Sequence, residues 1–188
     1  MSLVRRPTPV CGPVRSAVAG GLLAALLVSC GDPGTAARAP TEPVGPAGPA
    51  AEVAPPAPRP VTDGPCPYLD EAVVESINGQ RVGSVQISAD RPYPACFFLR
   101  GDGAEQARTW VVMATPEVAR ATVDAAAAVA TSDLAELPGG WSGGSQSTSD
   151  GAVFAVARQG TAVVVTTNQP HTLGARRLTE QVIAALVP

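Results

Sequence analysis

The chain of 188 residues contains no lysine; all 13 of its basic residues are arginine. It has one histidine, His171, and no Cys-x-x-Cys among its four cysteines. A zinc site takes three or four nitrogen, sulfur or carboxylate ligands at set spacing, so no metal is expected. The missing Cys-x-x-Cys also speaks against a dithiol redox site, which with free thiols is the alternative to a structural disulfide. No Gly-x-Gly-x-x-Gly or P-loop pattern occurs from residue 63 onward, and with it go the usual phosphate cradles, so no cofactor is expected. From Cys30 onward ten arginines face sixteen carboxylates, a balance near −6, with Arg176-Arg177 the one adjacent basic pair. Nucleic acid is bound by clustered cations, and none cluster here; no nucleic-acid partner is expected. No apolar run approaches the roughly 20 residues that span a bilayer.

What is present at the start is an export pattern. Arg5, Arg6 and Arg15 precede twelve apolar residues, Ala17 to Val28, then Ser29 and Cys30. A run this short suits the core of a signal peptide, placed at 1–29. Leu27-Val28-Ser29-Cys30 resembles the lipobox of bacterial lipoproteins. That resemblance implies cleavage between Ser29 and Cys30 and diacylglycerol on the Cys30 thiol. Two or more acyl chains anchor stably, so the expected location is the extracytoplasmic face of the cell membrane. The alternative is an ordinary signal peptide with a chance cysteine at its boundary. Cys11 lies in the discarded part. Residues 31–62 carry nine prolines, too little apolar surface to order on their own, and 30–62 is expected to be a disordered tether biased to polyproline II.

Residues 63–188 form the one candidate domain. Leu69, Ala72, Val73 and Ile77 recur at helical spacing, and Asn78-Gly79 is a stop. Gly83–Ala89 alternates as a half-buried strand. Ala95–Arg100 is a second strand and Thr109–Ala114 a third, apolar on both faces. Thr115-Pro116-Glu117 is a helix start, with the helix reaching about Ala130. A Gly/Ser-rich loop is expected over 138–151. Ala152–Ala157 and Thr161–Thr167 are further strands, and Ala175, Leu178, Val182 and Leu186 stripe a final helix. The order α-β-β-β-α-β-β-α predicts an α+β domain with a mostly antiparallel sheet of about five strands and helices packed on it, without an internal repeat. Cys66 and Cys96 are an even pair in an exported domain and are expected to form a disulfide.

Gly140-Trp141-Ser142-Gly143-Gly144 matches the Gly-x-Ser-x-Gly elbow of serine hydrolases, with Asp150 and His171 following in order. The elbow needs a strand before the serine and a helix after it; both flanks read as loop, so no catalytic residue is assigned. Asp70-Glu71 is an adjacent carboxylate pair that suits the first turn of a helix better than glycoside cleavage. Trp141 in its loop either folds back as a lid on the core or contacts a ligand or partner.

Cys66-Pro67-Tyr68-Leu69, Pro94-Ala95-Cys96-Phe97-Phe98 and Thr166-Thr167-Asn168-Gln169 together resemble an actinobacterial family of lipoproteins with a C-terminal domain of unknown function. That family implies no catalytic residue. More loosely, the element order resembles the small α/β/α sandwich of other mycobacterial lipoproteins and of photosystem accessory proteins, which are adaptor or binding domains. The expected function is a non-catalytic interaction or sensor-like module of the cell envelope, marked by an apolar groove rimmed by Trp141. The alternative is a carrier of a small apolar or envelope-derived ligand, with a cavity between sheet and helix. A serine hydrolase using Ser142 is the remote third.

Overall fold

The computed structural model describes residues 53–186; Cys11, Ser29 and Cys30 lie outside them. Eight strands and three helices follow in the order β1 (Thr62–Asp63), α1 (Glu71–Asn78), β2 (Ser84–Ile87), β3 (Cys96–Leu99), β4 (Glu105–Met113), α2 (Pro116–Ala126), β5 (Asp133–Leu137), β6 (Trp141–Thr148), β7 (Gly151–Arg158), β8 (Thr161–Thr167) and α3 (Thr172–Leu186). The strands form a single sheet in the order β1-β2-β3-β4-β8-β7-β6-β5, antiparallel at every pairing. It is thus two four-stranded meanders joined where β8 lies beside β4.

The α+β class and the antiparallel sheet agree with the sequence; the strand count does not. The sheet has eight strands rather than about five, because β1, β5 and β6 carry little apolar alternation. The expected loop 138–151 is for the most part β6, held in register against β7 from Ser142↔Ala157 to Thr148↔Gly151. Only the turns at its two ends are loop. Gly139 and Gly140 supply the first, at φ +86° and +83°, where a side chain would be strained.

The caps explain where the helices begin. The Asp70 carboxylate accepts from the Ala72 N–H at 2.8 Å, and Glu71 sits in the first turn of α1, where the helix dipole favours an anion. Gly79 closes α1 in the left-handed conformation at φ 71°. Thr115 Oγ1 accepts from Val118 N–H at 3.3 Å to start α2, with Pro116 at its first position.

Two cores flank the sheet. On one side α1 and α3 bury Val74, Ala175, Leu178 and Val182 against Phe98, Val111, Phe154, Val163 and Val165. On the other, α2 buries Ala119 and Val123 against Ala155, Ala157, Ala162 and Val164. This second layer is built from small residues, and α2 sits close. A Cβ added at Gly144 would stand 2.8 Å from Ala127 O and 3.0 Å from Ala127 Cβ. The Cys66–Cys96 disulfide, with Cα atoms 5.6 Å apart, ties the segment before α1 to β3. Closing a loop of that length stabilises by roughly 3–4 kcal/mol in the chain-entropy model.

Replacing Gly144 with valine should therefore push α2 off β6 and cost about 2–3 kcal/mol, seen as a lower urea midpoint at unchanged slope. Ser142→Val, two residues away and exposed, should stay within about 0.5 kcal/mol. Equal effects at the two positions would refute the close approach of α2.

Candidate functional site

The α2 side of the sheet is only half covered by a helix. α2 lies over β6, β7 and β8 and the near edge of β4. Beyond it, Trp110 on β4 is half-buried and packs against the edge of the α2 core. Arg108 places its guanidinium 5.9 Å from the ring centre of Phe97 on β3. No helix covers this strip. The chain before β1 crosses it instead. Val61 donates its N–H to Ile87 O at 2.9 Å, leading into β1. Upstream, Ala54, Pro55 and Pro58 are half-buried. Composition places residues 53–61 in a disordered tether; here they form a strap on the sheet.

Hollows open on both sides of this strap. One, of about 230 Å³, lies between strap and α2, walled by Thr122, Ala125, Ala126 and Val164 with Arg108 and Thr166 at its polar end. The other, of about 380 Å³, lies between strap and the Asp90–Tyr93 turn, with Val112 and Met113 in its wall. Pro55, Ala57, Pro58 and Trp110 line both. The strap therefore passes over the indole, and the hollows are the two margins of a single groove. The alanines of α2 are what leave the first margin open; longer side chains there would fill it.

Trp141 folds onto the core, the first of the two roles expected of it, but from a strand and not from a loop. It opens β6 rather than sitting in a loop, is 4% exposed, and belongs to the core under α3. Arg158 stands 5.4 Å above its ring and donates to Gly139 O at 3.3 Å. The apolar groove exists, but Trp110 rather than Trp141 floors it. Trp110 reads in the sequence as one more residue of a strand apolar on both faces, and no sequence signal separates it from core.

Ser142, Asp150 and His171 are all exposed. Ser142 lies within β6 with strand on both sides, and Asp150 is in the turn at the far end of that strand, roughly 20 Å away at the rise of a β-strand. The strand-to-helix elbow is absent and the three residues do not meet. Among the described residues no group of three or more His, Cys, Asp and Glu could hold a metal ion, and no helix is long and apolar enough to cross a membrane.

The three motif stretches serve the frame. Tyr68 OH donates to Pro94 O at 2.8 Å and shares a hydrogen bond with Thr109 Oγ1 at 3.1 Å, linking the two stretches that the disulfide also joins. At the opposite end, a bulge between Phe98 and Leu99 leaves Gln106 without a partner in β3 and re-aims it. Its Oε1 accepts from Asn78 Nδ2 at 3.1 Å, and its backbone O from Asn168 N–H at 2.9 Å. Asn78 reads in the sequence as a helix stop and is also the hub of this amide cluster. Asn78 Oδ1 in this cluster, and Thr166 Oγ1 and Thr167 Oγ1 on β8, are buried without a protein partner.

Burial pushes the Tyr68 phenol up to about 12 from 10.0, against the opposing Thr109 hydrogen bond. The folded state then holds the proton more tightly than the unfolded chain, so this contribution is intact below pH 10 and is lost as pH rises towards 12. Stability should fall across that window by an amount on the order of 2–3 kcal/mol, measured by urea unfolding at successive pH values. In Tyr68→Phe the fall should shrink by that amount; an unchanged fall would refute the assignment.

No curated protein matches the chain. A family model described as a domain of unknown function, DUF2020, matches residues 51–187, beginning within the expected tether and taking in strap, groove and amide cluster alike. The chain belongs to the DUF2020 family.

Proposed function

We propose that this protein is a lipid-anchored module on the extracytoplasmic face of the cell membrane, and that the Trp110 groove is its binding face for an envelope partner. The observation that carries the binding role is an aromatic-floored strip of sheet left without a helix, with open hollows on both sides of the strap. Such an apolar strip in an otherwise covered sheet is the usual mark of an interaction site. The anchor rests on the Leu27–Cys30 pattern, and the proline-rich stretch beyond it provides reach. No catalytic step is assigned. A second reading, carriage of a small apolar ligand, is favoured by one observation: the hollow of about 230 Å³ between α2 and strap has Ala125, Ala126, Val164 and Trp110 in its walls.

Two measurements on the full-length chain in its own host test this. Cys30→Ala should move the protein out of the membrane fraction; continued membrane retention would overturn the anchor. A photo-reactive residue at Met113, which is 60% exposed beside the groove, should give a discrete cross-linked species that Trp110→Ala weakens. Cross-linking indifferent to Trp110 would overturn the groove as the binding face. A stoichiometric small molecule in the organic extract, lost on Trp110→Ala, would decide for the carrier.

A further inference from the structure

The groove already contains an occupant, and its chemistry is informative. Pro55 and Pro58 are three residues apart, both half-buried, and both line the two margins beside Trp110. A polyproline II helix has three residues per turn, so residues three apart share one edge. The intervening Pro56 and Ala57 are the more exposed of the four, although Ala57 also borders both margins and Pro56 one of them. Prolines set on an aromatic floor are how proline-rich peptides are read elsewhere, because the preformed helix loses little entropy on docking. The same phase continues upstream: Pro40, Pro43, Pro46 and Pro49 fall in register with Pro55 and Pro58. In a polyproline II helix all six share an edge, and four of them lie before the strap begins.

We infer that the Trp110 groove is a recognition site for polyproline II segments with proline at every third residue, that Pro55–Pro58 is its built-in occupant, and that the Pro40–Pro49 segment of a second copy can take its place. This rests on the groove being the binding face and names the ligand class. A ligand held on the same chain competes at millimolar effective concentration, so the strap keeps the site closed to weak outside binders. A second copy offers four phase-matched prolines against the two of the strap.

The test uses the full-length chain and a labelled peptide of residues 38–50, read by fluorescence anisotropy. Pro55→Ser/Pro58→Ser should bind it at least tenfold more tightly than the wild type, and adding Trp110→Ala should abolish the gain. A peptide of the same composition with its prolines off the three-residue period should not bind. Absence of binding to the double variant, binding insensitive to Trp110, or equal binding of the off-period peptide would each overturn the inference. Should the double variant unfold, the wild type decides. Millimolar peptide should speed amide hydrogen exchange at Val61, whose N–H is bonded to Ile87 O, as the strap leaves, and unchanged exchange would overturn the inference. Failure of the peptide with Trp110-dependent cross-linking from position 113 intact removes the ligand class alone; loss of both removes the binding face.

Discussion

The pairing of β4 with β8 holds the two halves of the sheet together. Seven residue pairs, from Ala107↔Thr167 to Met113↔Thr161, close this seam. Without it each meander would present a bare edge, and a bare edge is a template for unwanted pairing. The seam also fixes which residues meet on each face. Val111, Val163 and Val165 enter the core under α1 and α3, and Val112 and Val164 the core under α2. A strand central to the sheet and covered on both sides must be apolar throughout, hence the uninterrupted Ala162–Val165 run. Each such valine adds about 1.5–3 kcal/mol when fully buried, but only once both halves are in place.

The two faces of that seam are covered differently, and the groove follows from the difference. α3 has fifteen residues and lies with α1 on one face. α2 has eleven and sits low on β6 and β7, drawn down by Gly143, Gly144 and the alanines opposite. A helix so placed cannot also shelter β3 and the far side of β4. Trp110 and Phe97 therefore fall to other cover: the Arg108 guanidinium over one and the strap over the other. Small residues in one layer thus create the groove in the next.

How much of this was legible depends on which force set each element. The three helices, the cap at Thr115, the Gly79 stop, the valine-rich strands and the Cys66–Cys96 bridge are local or pairwise signals, and they can be read directly. β6 could not be read. Gly143-Gly144-Ser145-Gln146-Ser147 has no hydrophobic period, and its strand state comes from β7 on one side and from the room α2 needs above it. Trp141 falls in the same apparent loop, although its folding back onto the core is one of the two readings open to it. The strap failed for the opposite reason. Nine prolines in 32 residues do imply disorder in isolation, and for residues 53–61 only the tertiary surface around Trp110 overrides that expectation. The site was illegible because it is made by what does not cover a strand, and coverage is not written in any one segment.

Proline suits a segment that must lie in order yet come away, as the proposed exchange of the strap requires. Proline has no N–H to donate, so a proline-rich segment cannot extend the ladder of β1 and β2 outward across the sheet. It is held by packing, with Val61 N–H to Ile87 O as the backbone bond at its end. Its fixed φ removes much of the ordering entropy that would otherwise oppose docking. Such a segment docks at low entropic cost and leaves without breaking a hydrogen-bond ladder. Elements with few buried contacts and few protected backbone bonds open first in a native protein. On both counts the strap, not a helix or a strand, is the part of this fold suited to exchange.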